Sequence, residues 1–271
     1  MTKTSAADGG DKAASSYVVT AGADYAEAAR GSGVGACATC GGRGVHFRDV
    51  SGLRYRENCP DCRGLDQRLR RFNAAHVPRR FAGKTLENFE IRGGTHRVAR
   101  NVAMEMAERM APNARGLLLA GPPGVGKTHL LVALLRYATL EVGLDAAFID
   151  FFALLSELRT SFGRGGSEGD ILDPLLAVQV LGIDELGKGK NSEWEANVLD
   201  QVVSRCYNLE RSLIITTNYL PARYHASETR RFSETLEERI GERVVSRLSE
   251  MCELVVVTSP DQRQKGRSLG V

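Results

Sequence analysis

Eight consecutive residues, Gly121, Pro122, Pro123, Gly124, Val125, Gly126, Lys127 and Thr128, constrain this chain more than any other segment. They follow the apolar run GLLLAG (116–121) and precede a stretch of helical spacing over 129–140. Strand, glycine-rich turn and helix in that order make a P-loop, in which glycines let successive backbone N–H groups curl around phosphate oxygens. Lys127 then offers a point charge to β and γ oxygens and Thr128 a hydroxyl to Mg2+, so ATP and Mg2+ are the expected ligands.

The surrounding pattern agrees with such a loop. AAFID (146–150), VQVLGID (178–184), SLIITTN (212–218) and ELVVV (253–257) are further apolar runs separated by helical stretches, and 97–110 has helical spacing ahead of the first strand. Alternating strand and helix implies a parallel sheet covered on both faces. VLGIDELG places Asp184 and Glu185 just past an apolar strand, at the carboxyl edge where the P-loop opens. Asp184 is expected to hold Mg2+ through water, and Glu185 to orient or deprotonate the attacking water. The amide of Asn218, at the end of SLIITTN, is placed to meet the γ-phosphate or the same water. Arg243 and Arg247 are four apart and share one helical face, which by itself fits a salt-bridged surface helix.

At 271 residues the chain exceeds one ordinary domain, so a full-sized domain with a smaller appendage is expected. No run approaches the roughly 18 to 20 apolar residues of a membrane span, and the start of the chain lacks the apolar stretch of a secretory signal. The expected location is cytoplasmic, with no membrane partner. Residues 1–36 are mostly Ala, Gly, Ser, Thr and Asp, a composition too poor in large apolar groups to order itself, and read as a disordered tail. Charge is uneven: residues 37–100 carry 14 basic and 6 acidic side chains, an excess suited to a polyanion or an acidic protein face.

That basic region opens with CATC (37–40) and CPDC (59–62), two knuckles separated by residues 41–58. Cys37, Cys40, Cys59 and Cys62 have the spacing of a structural four-cysteine Zn2+ site, and a redox dithiol is the competing reading. So short a block has little core, so the metal must supply much of its folding free energy. His46 lies between the knuckles but would over-complete the site; Cys206 and Cys252 sit in apolar segments as buried small residues. Arg43, Arg48, Arg54, Arg56, Arg63, Arg68, Arg70 and Arg71 decorate the block, with Phe47 and Tyr55 interleaved, as on surfaces that combine phosphate contacts with base stacking.

The ordered set of P-loop, acidic pair, polar strand end and Ser246-Arg247-Leu248 resembles the AAA+ ATPases. The resemblance implies that Arg247 is an arginine finger acting on a neighbouring subunit's nucleotide, tying hydrolysis to an ATP-dependent homo-oligomer. IDELGKGKNSEWEANVLDQVVSRCYNLERSLIITTN, together with the connector VPRRFAGKTLENFE, is similar to the DnaC, DnaI and IstB group. That likeness spans roughly residues 77–259 and implies a five-stranded parallel sheet of order 5-1-4-3-2 without a full C-terminal helical lid. The expected organisation is a tail (1–36), a zinc-ribbon-like module with a basic helix (37–75), a linker (76–94), the AAA+ core (95–260) and a C-terminal tail (261–271). For adenine, Phe89 and Ile91 are candidates, with core packing as the alternative. The segment 152–173, with Arg159, Arg164 and GRGGSEG, falls where related proteins place a DNA-contacting insertion, a solvated loop being the other reading.

Three functions fit. The first, implied by the resemblance, is an ATP-dependent loader that binds a DnaB-type replicative helicase and single-stranded DNA. The second is an IstB-type transposition helper binding duplex DNA and a transposase. The third is a zinc-dependent DNA-binding module that keeps its nucleotide site for regulation, against which Lys127, Asp184 and Glu185 argue.

Overall fold

The computed structural model describes residues 17–31, 37–41, 43–62, 64–189, 192–225 and 234–258. Two antiparallel ribbons come first. β1 (Tyr17–Ala21) pairs with β2 (Ala26–Arg30), and β3 (Val45–Val50) pairs with β4 (Leu53–Asn58). The first ribbon corrects the expectation of disorder through residue 36. Tyr17, Ala26 and Ala28 are buried against helix α1 (Leu65–Ala74) and the core beyond it. Asn73 accepts from the Ala28 N–H at 2.7 Å and donates to its carbonyl at 3.2 Å, which satisfies the strand edge facing α1. Alanines bring little apolar area but let a strand lie close to a helix, so the ordering is offset by a surface that composition alone does not reveal. The rest of the expected tail, 1–16 and 32–36, lies outside the described residues, as does the C-terminal tail.

The main body follows as α2 (Gly94–Glu108), β5 (Gly116–Ala120), α3 (Lys127–Arg136), β6 (Ala146–Asp150), α4 (Phe151–Phe162), α5 (Glu168–Ala177), β7 (Val180–Leu186), α6 (Glu193–Asn208) and β8 (Ser212–Thr217). Short helices α7 (Ala222–His225) and α8 (Leu236–Ile240) lead into α9 (Glu242–Met251) and β9 (Cys252–Val256). The five core strands are parallel in the order β6-β7-β8-β5-β9, which is 5-1-4-3-2 counted along this sheet. Alternation along β5 divides the core: Leu117 and Leu119 face the layer of α1, α2 and α3, and Leu118 faces that of α4, α6 and α9.

Helix α3 continues into a π-helical segment, Tyr137–Val142, and α1 is fastened there. Arg68 donates to the Leu140 carbonyl at 2.5 Å, Arg71 pairs with Asp145 at 2.8 Å, and the Phe148 N–H donates to the Ala75 carbonyl at 2.8 Å. The expected linker 76–94 is packed as well, because Val77, Leu86 and Phe89 are buried in the same cluster as α3. Its carbonyls are bound by the main body, Ala82 by Arg136 at 3.2 Å and Leu86 by Arg100 at 3.0 Å. Among the described residues no helix is long and apolar enough to cross a membrane.

Candidate nucleotide site and metal centre

The P-loop conformation follows from its glycines. Gly121 has φ 149°, and a Cβ there would lie 2.0 Å from the Val257 carbonyl oxygen, so no larger residue fits between β5 and the end of β9. Gly126 has φ 92° and turns the chain so that α3 begins at Lys127, with the first turn of the helix lining the cleft. Lys127 is only 7% exposed; its ammonium donates to the carbonyls of Gly121 at 2.7 Å and Pro122 at 2.8 Å and to Asn218 Oδ1 at 2.9 Å.

β7 runs to Leu186, so Asp184 and Glu185 lie on the strand and not just past it as expected. The pairing with β8 shifts between Ile183 and Leu186, and Glu185 adopts φ 57°. A glutamate in left-handed backbone costs on the order of 1–3 kcal/mol and persists only where neighbours impose it. Here the Glu185 N–H donates to Thr216 Oγ1 at 3.0 Å, and that hydroxyl donates onward to Asp184 Oδ1 at 2.6 Å. Thr128 donates to the same carboxylate oxygen at 2.8 Å. Burial pushes the Asp184 carboxyl pKa up, against the two hydroxyls, while the charges of Glu185 and Asp150 add to the rise. Thr216 is a site residue that sequence reasoning did not single out; the signal was its place beside Thr217 at the end of an otherwise apolar strand.

A cleft of about 540 Å³ joins these groups, with Gly124, Lys127, Thr128, Glu185, Thr216 and Asn218 along its phosphate end. Its other wall is Arg80, Phe81, Lys84 and Glu90. Phe89 does not line it: the ring is buried edge-on to His96 and His129, the core reading of that residue. Ile91 is exposed and also lies off the cleft. Arg80 stacks over Phe81 at 4.6 Å, so the aromatic on the cleft wall comes from the RRF turn at Arg79–Phe81, one bend earlier than the expected Phe89 and Ile91.

Arg247 lies away from its own chain's P-loop, bound to Asp200 Oδ1 at 2.7 Å and Ser204 Oγ at 2.8 Å on α6. Arg243, one turn earlier, reaches the same carboxylate at 3.8 Å and is 74% exposed. In the 152–173 segment Arg159 is committed to Glu195 at 2.7 Å and stacks over Trp194, whereas Arg164 is exposed in the loop between α4 and α5.

The four knuckle cysteines converge. Their sulfurs all lie within 4.8 Å of one another, with Cys37 and Cys59 at 3.6 Å and Cys40 and Cys62 at 3.5 Å. Bonds of about 2.3 Å to a tetrahedral zinc ion set sulfur–sulfur edges near 3.8 Å, so this donor set fits Zn2+ and its thiolate chemistry. Burial pushes the Cys62 thiol up to about 11; for Cys40 burial is outweighed by the Gly44 N–H, 3.3 Å from its sulfur, and by the facing thiols, which bring it down to about 7. His46 is turned to Glu57 at 3.7 Å and is not a ligand. Cys206 and Cys252 are buried, with thiols pushed up to about 12 by burial, as packing residues are. Of the basic residues on the block, Arg68 and Arg71 are bound to the main body, and Arg63 lies outside the described residues.

The family model for IstB-like ATP binding protein matches residues 60–270. The replicative helicase loader DnaC of Escherichia coli (strain K12) is 26% identical over 180 residues, 66% of this chain and 68% of that protein. A crystal structure of the DnaC helicase loader is similar with a TM-score of 0.58 at 30% identity, covering 66% of this chain and 99% of that one. The crystal structure of DnaI, at 21% identity and a TM-score of 0.55 over 69% of this chain and 94% of that one, shares the fold. With a P-loop, an acidic pair and a polar strand end on a 5-1-4-3-2 sheet, and with the family model running from the second cysteine knuckle to the end of the sheet and beyond, the chain belongs to the IstB-like ATP-binding proteins.

Proposed function

We propose that this protein is a cytoplasmic, ATP-hydrolysing loader for a DnaB-type replicative helicase. The observation that carries hydrolysis is the convergence of Lys127, Thr128, Glu185 and Asn218 on one cleft. A binding-only site has no use for a carboxylate held by strained backbone beside the phosphate end. Lys127 neutralises charge on the β and γ phosphates, and Asn218, bonded to that lysine, aims its amide toward the transferred group. Glu185 orients the water that attacks the γ-phosphorus, giving ADP and phosphate. Thr128 and, through water, Asp184 would hold Mg2+, which supplies charge neutralisation between the phosphates. Arg247 acts at the nucleotide of an adjacent copy.

The choice of partner rests on the likeness to DnaC and on two exposed surfaces. Phe47 and Tyr55 stand half exposed on the β3–β4 ribbon among Arg48, Arg54 and Arg56, a surface for docking on the helicase. Phe152 and Phe162 are exposed on α4, close to Lys188 and Trp194 respectively, an aromatic and basic strip suited to single-stranded DNA. The family match itself favours a second reading, an IstB-type helper of transposition on duplex DNA. Co-purification separates them. Tagged protein carrying Glu185→Gln, incubated with ATP, is expected to retain the host's DnaB-type helicase and to prefer single-stranded over duplex oligonucleotide; retention of a transposase with duplex preference would replace the first reading by the second.

A further inference from the structure

Arg30 ends β2 and reaches the start of α1, where its Nε donates to Asp66 Oδ1 at 2.8 Å and its Nη2 lies 2.7 Å from the same oxygen. Asp66 stands one turn past Cys62, whose carbonyl accepts from the Leu65 N–H at 2.8 Å as the second knuckle runs into the helix. A cation from the first ribbon is thereby fixed beside the four-cysteine centre. We propose that Arg30 is a positioning residue of that centre: its charge, held between Asp66 and the sulfurs of Cys37 and Cys62, offsets the excess negative charge of metal-bound thiolates and ties zinc retention to docking of the first ribbon. This rests on the assignment of the four cysteines to Zn2+ and adds a partner from outside the module.

Four thiolates around one Zn2+ make a doubly negative centre, and a partly buried anion of that kind needs compensation from the N–H groups and cations around it. The N–H groups are present. Gly44 donates to Cys40 Sγ at 3.3 Å, and the amides of Gly64 and Leu65 point at the Cys62 sulfur. Of the cations, Arg43 donates through Nε to the Cys40 carbonyl at 3.0 Å but is exposed, where water and salt screen it. Arg30 is only 22% exposed. The hydrogen bond to Asp66 pushes its pKa up, and the charges of Asp66, Cys62 and Cys37 add to the rise against burial, so the guanidinium lies in the field of two of the four sulfurs. The backbone keeps it there. Ala28, two residues earlier, is bonded to Asn73, and Asn73 lies two helical turns beyond Asp66 on the same face of α1, so β2 runs along the helix toward Cys62. Cys62 in turn packs against the core that contains Ala26, Ala28 and Leu65.

Asp66 draws on the same charge, so the two members of the pair give effects of opposite sign. The test uses the full chain with Arg30→Gln, Arg30→Lys and Asp66→Asn, which keeps an oxygen to accept from Arg30, and measures zinc affinity by competition with a chromophoric chelator at one pH. Arg30→Gln should weaken zinc binding by about tenfold or more, the cost expected of a partner just outside the ligands, while Arg30→Lys stays within about threefold of wild type. Asp66→Asn should bind zinc as tightly as wild type or more so. A salt bridge that only fastens the ribbon to α1 predicts instead that Arg30→Gln and Asp66→Asn weaken binding alike and that lysine, lacking the guanidinium fork, does not rescue; either result overturns the proposal. Arg30→Gln within about twofold of wild type overturns it too and leaves the zinc assignment standing, whereas wild type that binds no zinc removes both. A fluorescent ATP analogue should bind all three variants as it binds wild type, and its loss together with zinc would make Arg30 a general folding residue and overturn the specific role.

Discussion

The ammonium of Lys127 lies 2.9 Å from the carboxamide oxygen of Asn218, so the P-loop and the end of β8 are joined by one hydrogen bond at the phosphate end of the cleft. A nucleotide entering there meets both groups at once. Lys127→Ala should abolish detectable ATP binding, because it removes the charge that balances the phosphates. Glu185→Gln should keep binding and lose hydrolysis. Asn218→Ala should fall between, with ATP affinity within about threefold and kcat down by about tenfold. Titration with a fluorescent ATP analogue and a phosphate-release assay check all three, and wild-type turnover in Glu185→Gln would remove that residue from its assigned role.

Asp184 gives a dependence on pH. It is 2% exposed and burial raises its carboxyl pKa above the unfolded 3.8. The native nucleotide-free protein then binds this proton more readily than the unfolded chain does. Its contribution is favourable at acid pH and is lost as pH rises from the unfolded value through the raised one. Asp184→Asn removes the buried charge, so the variant should match or exceed wild type in thermal stability near pH 7, with a flatter pH profile in that window. It should also lose the extra stability that Mg2+ and ATP confer on wild type. Thermal melts across pH, with and without Mg2+ and ATP, would show it; a variant less stable than wild type throughout would contradict the raised pKa.

The P-loop and the four cysteines were legible because each is a local pattern in which a few residues at fixed spacing carry the geometry. The strand order came from resemblance and was met. The Thr216 bridge between Asp184 and the Glu185 backbone was not legible, since nothing in the two runs shows that β7 and β8 are neighbours with a shifted register. The same limit hid the β1–β2 ribbon, whose order depends on α1, and the Phe81 wall, which depends on how a connector folds back over α3. Sequence patterns report what a segment does alone; they are silent where a distant surface completes it.

The zinc centre is open to direct measurement. Four convergent thiols should bind about one zinc ion per chain, and protein purified without chelator yet free of zinc would refute the assignment. Cys37→Ser should loosen the β3–β4 ribbon, whose strands bury almost nothing of their own, and spare the main sheet. Hydrogen exchange offers a sharper contrast within the module. Protection should be lost across 45–58 but persist in α1, because Leu65, Leu69 and Phe72 are buried in the same core as α3.

Arg247 presents a choice that one neighbouring residue can resolve. Its bond to Asp200 holds the guanidinium against α6 of its own chain, with the two side chains 22% and 34% exposed, so the pair is worth about 1 kcal/mol or less. If that pair were its whole purpose, Arg247→Ala and Asp200→Asn would have the same small effect. As a finger for an adjacent copy, Arg247→Ala should cut ATPase activity under assembling conditions by about tenfold or more, leaving nucleotide affinity and melting temperature nearly unchanged, whereas Asp200→Asn should stay within about twofold of wild type. Mixing adds a second test. Lys127→Ala protein is dead at its own site but still carries Arg247, so combining it with Arg247→Ala protein should restore turnover at interfaces that pair an intact P-loop with an intact arginine. A mixture that never exceeds the sum of its parts would overturn the finger at this position. Arg243, 74% exposed one turn earlier on the same face, would then be tested in the same design, and its failure would withdraw the shared site between subunits.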